Sequence, residues 1–340
     1  MTRAIIAVAA LAVVLNAIAL GADPPAGETA PPAVVKATRI GDGPILRPDM
    51  MPKDDGDWSG NLNFPCVVRV PEWVERPLGR YYLYFSAHHG SYIRLAYADH
   101  IAGPWKIHEP GTLRLEQVER VNESDRTEQR HVASPDVHVD NERRQFRMYF
   151  HYFLPKLGHK SSVAFSPDGL KFDPRAGAIA GPYLRAFPRD GAWLAIDDAG
   201  VLLRSPDGIE PFKPLSDAVK QAATGDPRTA HFRHGGLLPD ADRLGVFFSR
   251  VGDAPERILF TQVRLTDDPA SWRATPPVPV LEPERDWEGA RADLVPSSIM
   301  GQTNVRQLRD PFVFREDGKT YLFYAVAGET GIAMAELSMR

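Results

Sequence analysis

Two aspartates stand next to a proline where short strands are predicted to begin. Asp136 directly follows Pro135, and Asp310 directly precedes Pro311. A pair of carboxyl groups about 6.5–9.5 Å apart, with room for a water molecule, is what inverting hydrolysis of a glycosidic bond requires. An aspartate beside a proline can instead cap a turn or hold a neighbouring strand. We expect Asp136 and Asp310 to be catalytic carboxylates.

Two glutamates are candidates for the proton donor of such a reaction. Glu329 lies in a loop at residues 327–331, and Glu288 lies inside a long insertion at residues 282–307. Long loops in compact domains are often functional or disordered. Trp287 precedes Glu288, and its aromatic face can either stack on a sugar ring or pack beneath the loop.

Other polar side chains are candidate substrate ligands. Arg309 precedes Asp310, and its guanidinium can orient that carboxylate, grip a polar group of a substrate, or lie on the surface. Asn63 stands at the start of the first predicted strand repeat. Histidines also occur at predicted loops or strand starts: His88, His89, His151, His231 and His234. As a group they could transfer protons or bind a metal ion, but no short ligand spacing singles out zinc.

Strand triplets recur along the chain and must position these side chains. Each repeat has an apolar first strand, an aromatic-rich second strand and an apolar third strand, with turn residues such as Asp317-Gly318 between them. The second strands are predicted at residues 81–86, 145–153, 192–196, 244–249 and 320–325. Five such repeats predict an all-β, five-bladed β-propeller rather than a β-sandwich. We expect residues 40–46 to add the outer strand of the last blade.

This arrangement predicts where the candidate residues meet. The first strand of every blade lines the central channel, and the loop between the second and third strands returns to the rim where that first strand begins. We therefore expect Asn63, His89, Asp136, His234 and Asp310 to converge on one end of the channel. Blades two and five flank blade one in a closed ring, so Asp136 and Asp310 are expected to lie across the funnel from each other.

Several stretches resemble glycoside hydrolase family 43. Residues 81–86 (Tyr-Tyr-Leu-Tyr-Phe-Ser) resemble that family's first blade, and residues 133–137 (Ala-Ser-Pro-Asp-Val) resemble the opening of its second blade. Residues 309–314 resemble the Arg-Asp-Pro element of related propeller glycosidases. The resemblance covers nearly all of residues 40–340. It implies a carbohydrate substrate and hydrolysis without a required cofactor, and it leaves a structural calcium ion in the central channel as an open question.

Two positions depart from the family pattern. In that family an aspartate before a proline opens the first blade as general base, and a glutamate of the third blade is the general acid. The matching stretches here, residues 63–65 (Asn-Phe-Pro) and 181–185 (Gly-Pro-Tyr-Leu-Arg), contain no carboxylate. Either the chemistry has moved to other residues, or the protein binds carbohydrate without cleaving it. A lyase or phosphorylase on the same scaffold is a third interpretation.

The N-terminus and the overall charge set the remaining expectations. Residues 1–22 carry a positive start and an apolar run, which favours a cleaved signal peptide over a membrane anchor and so predicts a secreted or periplasmic protein without stable membrane insertion. A disordered leader is predicted at residues 23–38 and the propeller domain at residues 39–340. The net charge of −4 gives no basic footprint for nucleic acid. Cys66 lies in an apolar run and is expected to be a core residue.

Overall fold

Five antiparallel sheets of four strands each make up the computed structural model, which describes residues 34–52, 60–122, 130–154, 156–224 and 231–339. The predicted signal peptide and residues 23–33 of the predicted leader lie outside these ranges. All described residues belong to one compact unit of the chain. None of the helices in the described ranges has the length and apolar character needed to cross a membrane.

The strands follow the chain blade by blade, apart from β1 (Val35–Arg39), which precedes blade one and joins blade five. Blade one contains β2 (Asn63–Arg69), β3 (Tyr81–Ser86), β4 (Tyr92–Ala98) and β5 (Lys106–Arg114). Blade two contains β6 (His131–Asp140), β7 (Gln145–Leu154), β8 (Gly158–Ser166) and β9 (Asp173–Pro174). Blade three contains β10 (Arg185–Arg189), β11 (Ala192–Ile196), β12 (Leu202–Ser205) and β13 (Lys213–Ser216).

The last two blades close the ring. Blade four contains β14 (His231–Pro239), β15 (Arg243–Val251), β16 (Ile258–Arg264) and β17 (Val278–Leu281). Blade five contains β18 (Arg309–Glu316), β19 (Lys319–Val326), β20 (Gly331–Met339) and β1. Two α-helices, α1 (Leu115–Val121) and α2 (Ala218–Ala223), and 3-10 turns at Pro48–Met50, Pro269–Ser271 and Asp286–Glu288 lie between strands. The predicted five-bladed all-β propeller is confirmed.

Aromatic second strands are buried on both of their faces because every blade packs between two neighbours. All six residues of β3 are buried, so the run Tyr-Tyr-Leu-Tyr-Phe-Ser needs no polar face. Tyr84 packs in one cluster with Phe146 of blade two, whereas Phe85 points to the other side and packs with Met334 of blade five. Burying each such side chain contributes about 1.5–3 kcal/mol, so the blades hold one another together mainly by apolar contact.

The strand that closes the ring differs from the predicted one. Residues 40–46 were expected to supply the outer strand of blade five, but β1 supplies it, pairing antiparallel with β20 from Val35↔Met339 to Arg39↔Ala335. Within residues 40–46 only Leu46 forms a bridge, to Ile332. β1 therefore lies almost entirely before residue 39, where the propeller domain was predicted to begin. The alternation of half-buried and exposed side chains in Val-Lys-Ala-Thr-Arg is that of an edge strand.

A shared kink shapes the start of the innermost strands. Phe64, Ser134, Tyr183 and Asp310 have φ between 52° and 58°, in the left-handed region that non-glycine residues rarely adopt. In blades one, two and five the pairing register shifts at this residue. Such strained positions concentrate at functional sites. The kink thus marks equivalent positions around the channel mouth.

Candidate active site

A cavity of about 910 Å³ lies at the end of the channel where the innermost strands begin. We call it the funnel cavity. The strand starts and the loops between second and third strands contribute most of its wall, as the propeller geometry predicts. Its lining includes His88, His89, His131, His159, Tyr183, Asp198, His231, Arg233, His234, Ile299 and Met300. The wall is therefore rich in imidazole, and Asp198 is its one carboxylate among the described residues.

His234 and Asp310 form a buried pair at the wall of the funnel cavity. His234 Nδ1 is in hydrogen-bond contact with Asp310 Oδ1. Burial would raise the pKa of Asp310, but His234 outweighs it and the pKa is lowered. Burial lowers the pKa of His234 despite the neighbouring carboxylate. At neutral pH the neutral imidazole therefore donates its Nδ1 proton to ionised Asp310, which leaves a lone pair on Nε2.

Asp198 is a carboxyl group of the cavity wall whose pKa is raised. It lies in the turn between β11 and β12 and is half-buried. Burial, with a smaller contribution from the charge of Asp197, raises the pKa of Asp198 to about 6. A carboxyl group of this kind keeps its proton in mildly acidic solution and can donate it to a leaving group. Asp198 is thus suited to general acid catalysis.

Three histidines of blade two form a cluster near the His234–Asp310 pair. The ring nitrogens of His131, His151 and His159 that could serve as ligands all lie within 4.8 Å of one another. His151 is buried, and its Nε2 lies 3.0 Å from His159 Nδ1. Tyr183 connects the cluster with the His234 pair, because its ring centroid lies 4.4 Å from that of His151 and 4.5 Å from that of His234.

Glu329 lies at the centre of a buried charge network behind the cavity wall. Its Oε1 accepts hydrogen bonds from Arg309 at 2.9 Å and from Arg233 at 3.4 Å. Its Oε2 accepts from Asn61 at 2.7 Å and from Asn63 at 3.1 Å. Burial alone would raise the pKa of Glu329, but His88 and the two arginines hold it well below the usual value. Such a carboxylate stays ionised, so it does not fit the proton-donor role predicted for it.

Arg309 and Asn63 serve this network rather than the cavity surface. Arg309 is completely buried and also forms an ion pair with Glu256 at 2.8 Å. It therefore does not grip a substrate or orient Asp310 as expected from the sequence. Asn63 accepts a hydrogen bond from Ser86 at 2.6 Å while it donates to Glu329. Both side chains fix the position of Glu329.

His88 links the network to the cavity. Its Nε2 accepts a hydrogen bond from the backbone N–H of Gly301 at 3.2 Å, and its Nδ1 lies 3.6 Å from Glu329 Oε2. His89 is next to it, with ring centroids 4.8 Å apart. The predicted rim position of His88 and His89 is thus where the structure places them, and both line the funnel cavity.

Asp136 does not join Asp310, in contrast to the expectation from the sequence. The register shift places Asp310 at the kink with Phe64 and Ser134, whereas Asp136 is the first paired residue after the kink. Asp136 is five residues beyond the cavity residue His131, on the other side of the kink at Ser134. It is not among the residues lining the funnel cavity.

The contacts of Asp136 are structural. Its carboxylate accepts hydrogen bonds from the backbone N–H of Ala186 at 2.8 Å and from Arg185 at 3.4 Å. Arg185 is buried, stacks 3.9 Å from the ring centroid of Phe64 and donates to the carbonyl of Pro65. The aspartate therefore anchors an arginine that ties blades one, two and three together across the channel.

We expect Asp136→Asn to lower stability rather than to act on the site. Burial would raise the pKa of Asp136, but His138 and Arg185 outweigh it and lower the pKa. Its charge thus stabilises the fold above the unfolded pKa, and that stability is lost as the pH falls through the folded pKa. Removing one partner of a buried pair costs about 3–5 kcal/mol, which urea unfolding at pH 7 would measure.

Asp49→Asn, at an exposed pair with Arg47, is the control and should leave the midpoint of unfolding unchanged. An unchanged midpoint for Asp136→Asn as well would contradict this role.

Glu288 and Trp287 lie away from the funnel cavity, so they do not have the predicted catalytic and sugar-stacking positions. Glu288 is completely buried and accepts hydrogen bonds from Arg39 at 2.7 Å and from Tyr324 at 3.1 Å. It also caps the backbone N–H groups of residues 284 and 285. Trp287 packs against the apolar cluster between blades four and five. Glu288 and Trp287 therefore hold β1 and the insertion against blade five.

The long insertion nevertheless reaches the site through other residues. Ile299 and Met300 line the funnel cavity and are 67% and 54% exposed. The adjoining carbonyl of Ser298 accepts a hydrogen bond from Arg233, and Gly301 donates to His88. The insertion thus adds apolar side chains to a wall that also contains Phe153, Phe232 and Val251.

Four cavity residues were not predicted from the sequence: Asp198, His131, His159 and Tyr183. The propeller rule, that strand starts and loops between second and third strands meet at one rim, applies to all four. Asp198 stands in the run Asp-Asp-Ala-Gly, which is also a common turn sequence and so does not by itself indicate a functional residue. Applied to every polar residue of those loops, the rule would have found it.

Comparison with solved structures places this architecture among five-bladed propellers of the glycoside hydrolase family 43 type. A thermostable family-43 glycoside hydrolase is 14% identical, with a TM-score of 0.56, and the match covers 82% of this chain and 89% of that one. A family 43 β-xylosidase/α-arabinofuranosidase from a compost metagenome, in complex with xylotriose, is 13% identical over 90% and 95% of the chains, with a TM-score of 0.55. An N-acetylgalactosamine deacetylase from F. plautii, in complex with blood group B trisaccharide, is 12% identical over 89% and 95%, with a TM-score of 0.59. At these identities the likeness shows the fold alone.

The family to which the chain belongs is shown by a closer relative. An uncharacterized protein of Acanthamoeba polyphaga mimivirus is 41% identical over 298 residues, which cover 82% of this chain and 83% of the viral protein. This chain belongs to the same family as that protein. No protein-family model matches the chain.

Proposed function

We propose that this protein is a carbohydrate-active hydrolase that binds a glycan in the funnel cavity and cleaves a glycosidic bond. One observation carries the proposal. A carboxyl group with a raised pKa, Asp198, and an imidazole oriented by a buried carboxylate, His234 with Asp310, both line one cavity of glycan size. Proton donor and proton acceptor are the two groups that hydrolysis of a glycosidic bond needs.

Each group has a defined part in the reaction. His234 Nε2 takes a proton from a water molecule as that water attacks the anomeric carbon. Asp198 gives its proton to the oxygen of the departing sugar, so one O–H bond of water and one C–O bond of the glycan break. Asp310 keeps the Nδ1 proton of His234 in place and stabilises the imidazolium that forms, as the carboxylate of a catalytic triad does. In this proposal Asp198 and His234 take the roles of the two carboxylates that are absent from residues 63–65 and 181–185.

The remaining features agree with a glycan as the partner. Ile299 and Met300 offer apolar surface for the faces of sugar rings, and Arg233 and the histidines offer hydrogen-bond partners for hydroxyl groups. The apolar N-terminal segment supports secretion or export to the periplasm, where extracellular glycans are accessible.

A panel of arabino-, xylo- and galacto-oligosaccharides tests the proposal. We expect the unmodified protein to release new reducing ends from at least one of them. Binding by calorimetry without release from any member would instead support the non-hydrolytic, sugar-binding alternative. No binding to any glycan would contradict both.

A second candidate is hydrolysis of an acyl group carried by a sugar. The observation that favours it is the composition of the wall, where histidines outnumber carboxylates. The N-acetylgalactosamine deacetylase with the same fold indicates that such propellers are not restricted to cleavage of glycosidic bonds. Release of acetate from an acetylated glycan, with no new reducing end, would identify this activity.

Asp198 predicts the pH dependence of glycosidic cleavage. As general acid it must be protonated, and its pKa is raised to about 6. We therefore expect kcat/KM to be maximal below pH 6 and to fall about tenfold for each pH unit above it. Asp198→Asn should slow cleavage by about 10²–10⁴-fold and abolish this descending limb. Asp190→Asn, in the exposed turn between β10 and β11, is the control. A descending limb that persists in Asp198→Asn would assign the proton donor to another group.

A further inference from the structure

We propose that His131, His151 and His159 bind one transition-metal ion of the Zn²⁺ class at the wall of the funnel cavity. The candidate ligand nitrogens lie within 4.8 Å of one another, and one pair is 3.0 Å apart. Nitrogen ligands about 2.0–2.1 Å from a tetrahedral zinc ion lie about 3.3 Å from one another. Small side-chain rotations would bring all three nitrogens to that spacing.

The sheet of blade two holds the three ligands in place. His131 begins β6, His151 lies on β7, and His159 lies on β8, which pairs with β7 on its other side. In this register Phe153 is opposite both His131 and His159. A site built on three hydrogen-bonded strands is more rigid than one built on loops.

The hydrogen bonding of the cluster identifies the ligand atom of His151. Its Nε2 lies 3.0 Å from His159 Nδ1, and a metal ion bound to both nitrogens would replace the hydrogen bond between them. The other ring nitrogen of this 1% exposed residue, Nδ1, has no hydrogen-bond partner among the described residues and does not face His159. None of the ion pairs between described side chains involves these three histidines, so no carboxylate competes for their ring nitrogens.

The donor atoms select the kind of metal. Imidazole nitrogen suits Zn²⁺, Cu²⁺, Ni²⁺ and Fe²⁺, whereas Ca²⁺ and Mg²⁺ prefer oxygen ligands. The calcium ion left open by the family resemblance is therefore not the ion that this cluster would bind. Three protein ligands also leave at least one coordination position, and His131 and His159 line the funnel cavity. A metal ion held there supplies a Lewis acid to an oxygen atom of a bound molecule.

Metal titration tests this site without any substrate, so its outcome is separate from that of the proposed hydrolysis. Untagged protein is stripped with a chelator, dialysed and titrated with Zn²⁺ by calorimetry and with Co²⁺ by visible absorption. We expect one equivalent of Zn²⁺ per chain, the visible bands of tetrahedral Co²⁺, and no competition by Ca²⁺. Absence of stoichiometric Zn²⁺ binding, or preference for Ca²⁺, would overturn the proposal.

His159→Gln is the decisive variant because His159 is exposed and its replacement should not disturb the fold. Loss of a direct ligand should weaken Zn²⁺ binding by more than the 10–100-fold typical of a lost second-shell group, here on the order of 100-fold or more. His100→Gln, at an exposed turn outside the cavity, is the matched control and should bind as the unmodified protein does. Circular dichroism verifies that both variants are folded. Unchanged affinity in His159→Gln would place any bound metal elsewhere and overturn the assignment.

Discussion

Replacement of His234 by asparagine is expected to slow glycan cleavage by about 10²–10⁴-fold while glycan binding persists. The variant removes the ring nitrogen that accepts a proton from water, but it leaves Asp198 and the rest of the funnel cavity unchanged. The measurement compares kcat on a cleaved oligosaccharide with the dissociation constant for the same sugar. His100→Gln again serves as the control, because it replaces a histidine that lies outside the cavity.

Asp310→Asn tests whether His234 must be oriented by Asp310 to act, because the variant keeps His234 but changes its partner. The amide keeps the size of the carboxylate, but it cannot stabilise the imidazolium and it can favour the other imidazole tautomer. We expect a loss of rate within the same range of about 10²–10⁴-fold, with little further loss when both residues are replaced, since the two act as a unit. If His234→Asn and Asp310→Asn both keep near-normal rates on a glycan that the unmodified protein cleaves, His234 is not the proton acceptor.

Glu329→Gln is expected to lower the stability of the fold strongly. The two arginines that bind this carboxylate, Arg309 and Arg233, are almost completely buried. Removing one charge from a buried ion pair costs about 3–5 kcal/mol because the partner charge is left uncompensated. Because the folded pKa of Glu329 is lowered, its contribution is present above the unfolded pKa and is lost as the pH falls through the folded pKa.

Urea unfolding at pH 7 measures this loss against a matched change of glutamate to glutamine. Glu336 forms an exposed pair with Lys319 at 3.3 Å, and Glu336→Gln should change the free energy of unfolding only by the roughly 0–1 kcal/mol typical of surface pairs. Equal effects of the two variants would mean that the buried network contributes no more than a surface ion pair.

The blades could be predicted from the sequence because local chemistry determines them. Strands that are buried on both faces need apolar runs, and residues 81–86 form such a run. The hairpin turn at Asp317-Gly318 has φ of 49° and 77°, the backbone that this dipeptide favours. The outer strand of blade five was predicted at residues 40–46, but it is β1 at Val35–Arg39. Five residues that alternate between half-buried and exposed side chains, next to a segment rich in proline and alanine, give only a weak signal in the sequence.

The site was predicted less well because it depends on register and on long-range pairing. Asp136 and Asp310 both neighbour a proline in the sequence, but one lies at the kink and the other beyond it, and only the paired strands reveal this difference. Glu288 looked like a loop residue, yet its partner Arg39 is 249 residues away. Glu329 lies in a loop, as its sequence context indicates, but it is buried behind the cavity wall, and the arginines that keep it ionised come from two different blades.

Histidines were the most informative residues of the sequence. Single histidines have many uses, but the predicted rim positions of His88, His89 and His234 all prove to line one cavity. The physical reason is that the ends of five radial sheets converge at the channel, so polar residues at equivalent strand ends come together even when they are far apart in the chain.

Mass spectrometry of the products formed in heavy-oxygen water tests the central claim most directly. Hydrolysis of a glycosidic bond transfers one oxygen atom of water to the sugar that becomes the new reducing end. We therefore expect a shorter glycan that carries one labelled oxygen atom, formed by the unmodified protein and almost absent with His234→Asn. Label found only in released acetate, or a glycan that binds but remains intact and unlabelled, would contradict the assignment of this protein as a hydrolase of glycosidic bonds.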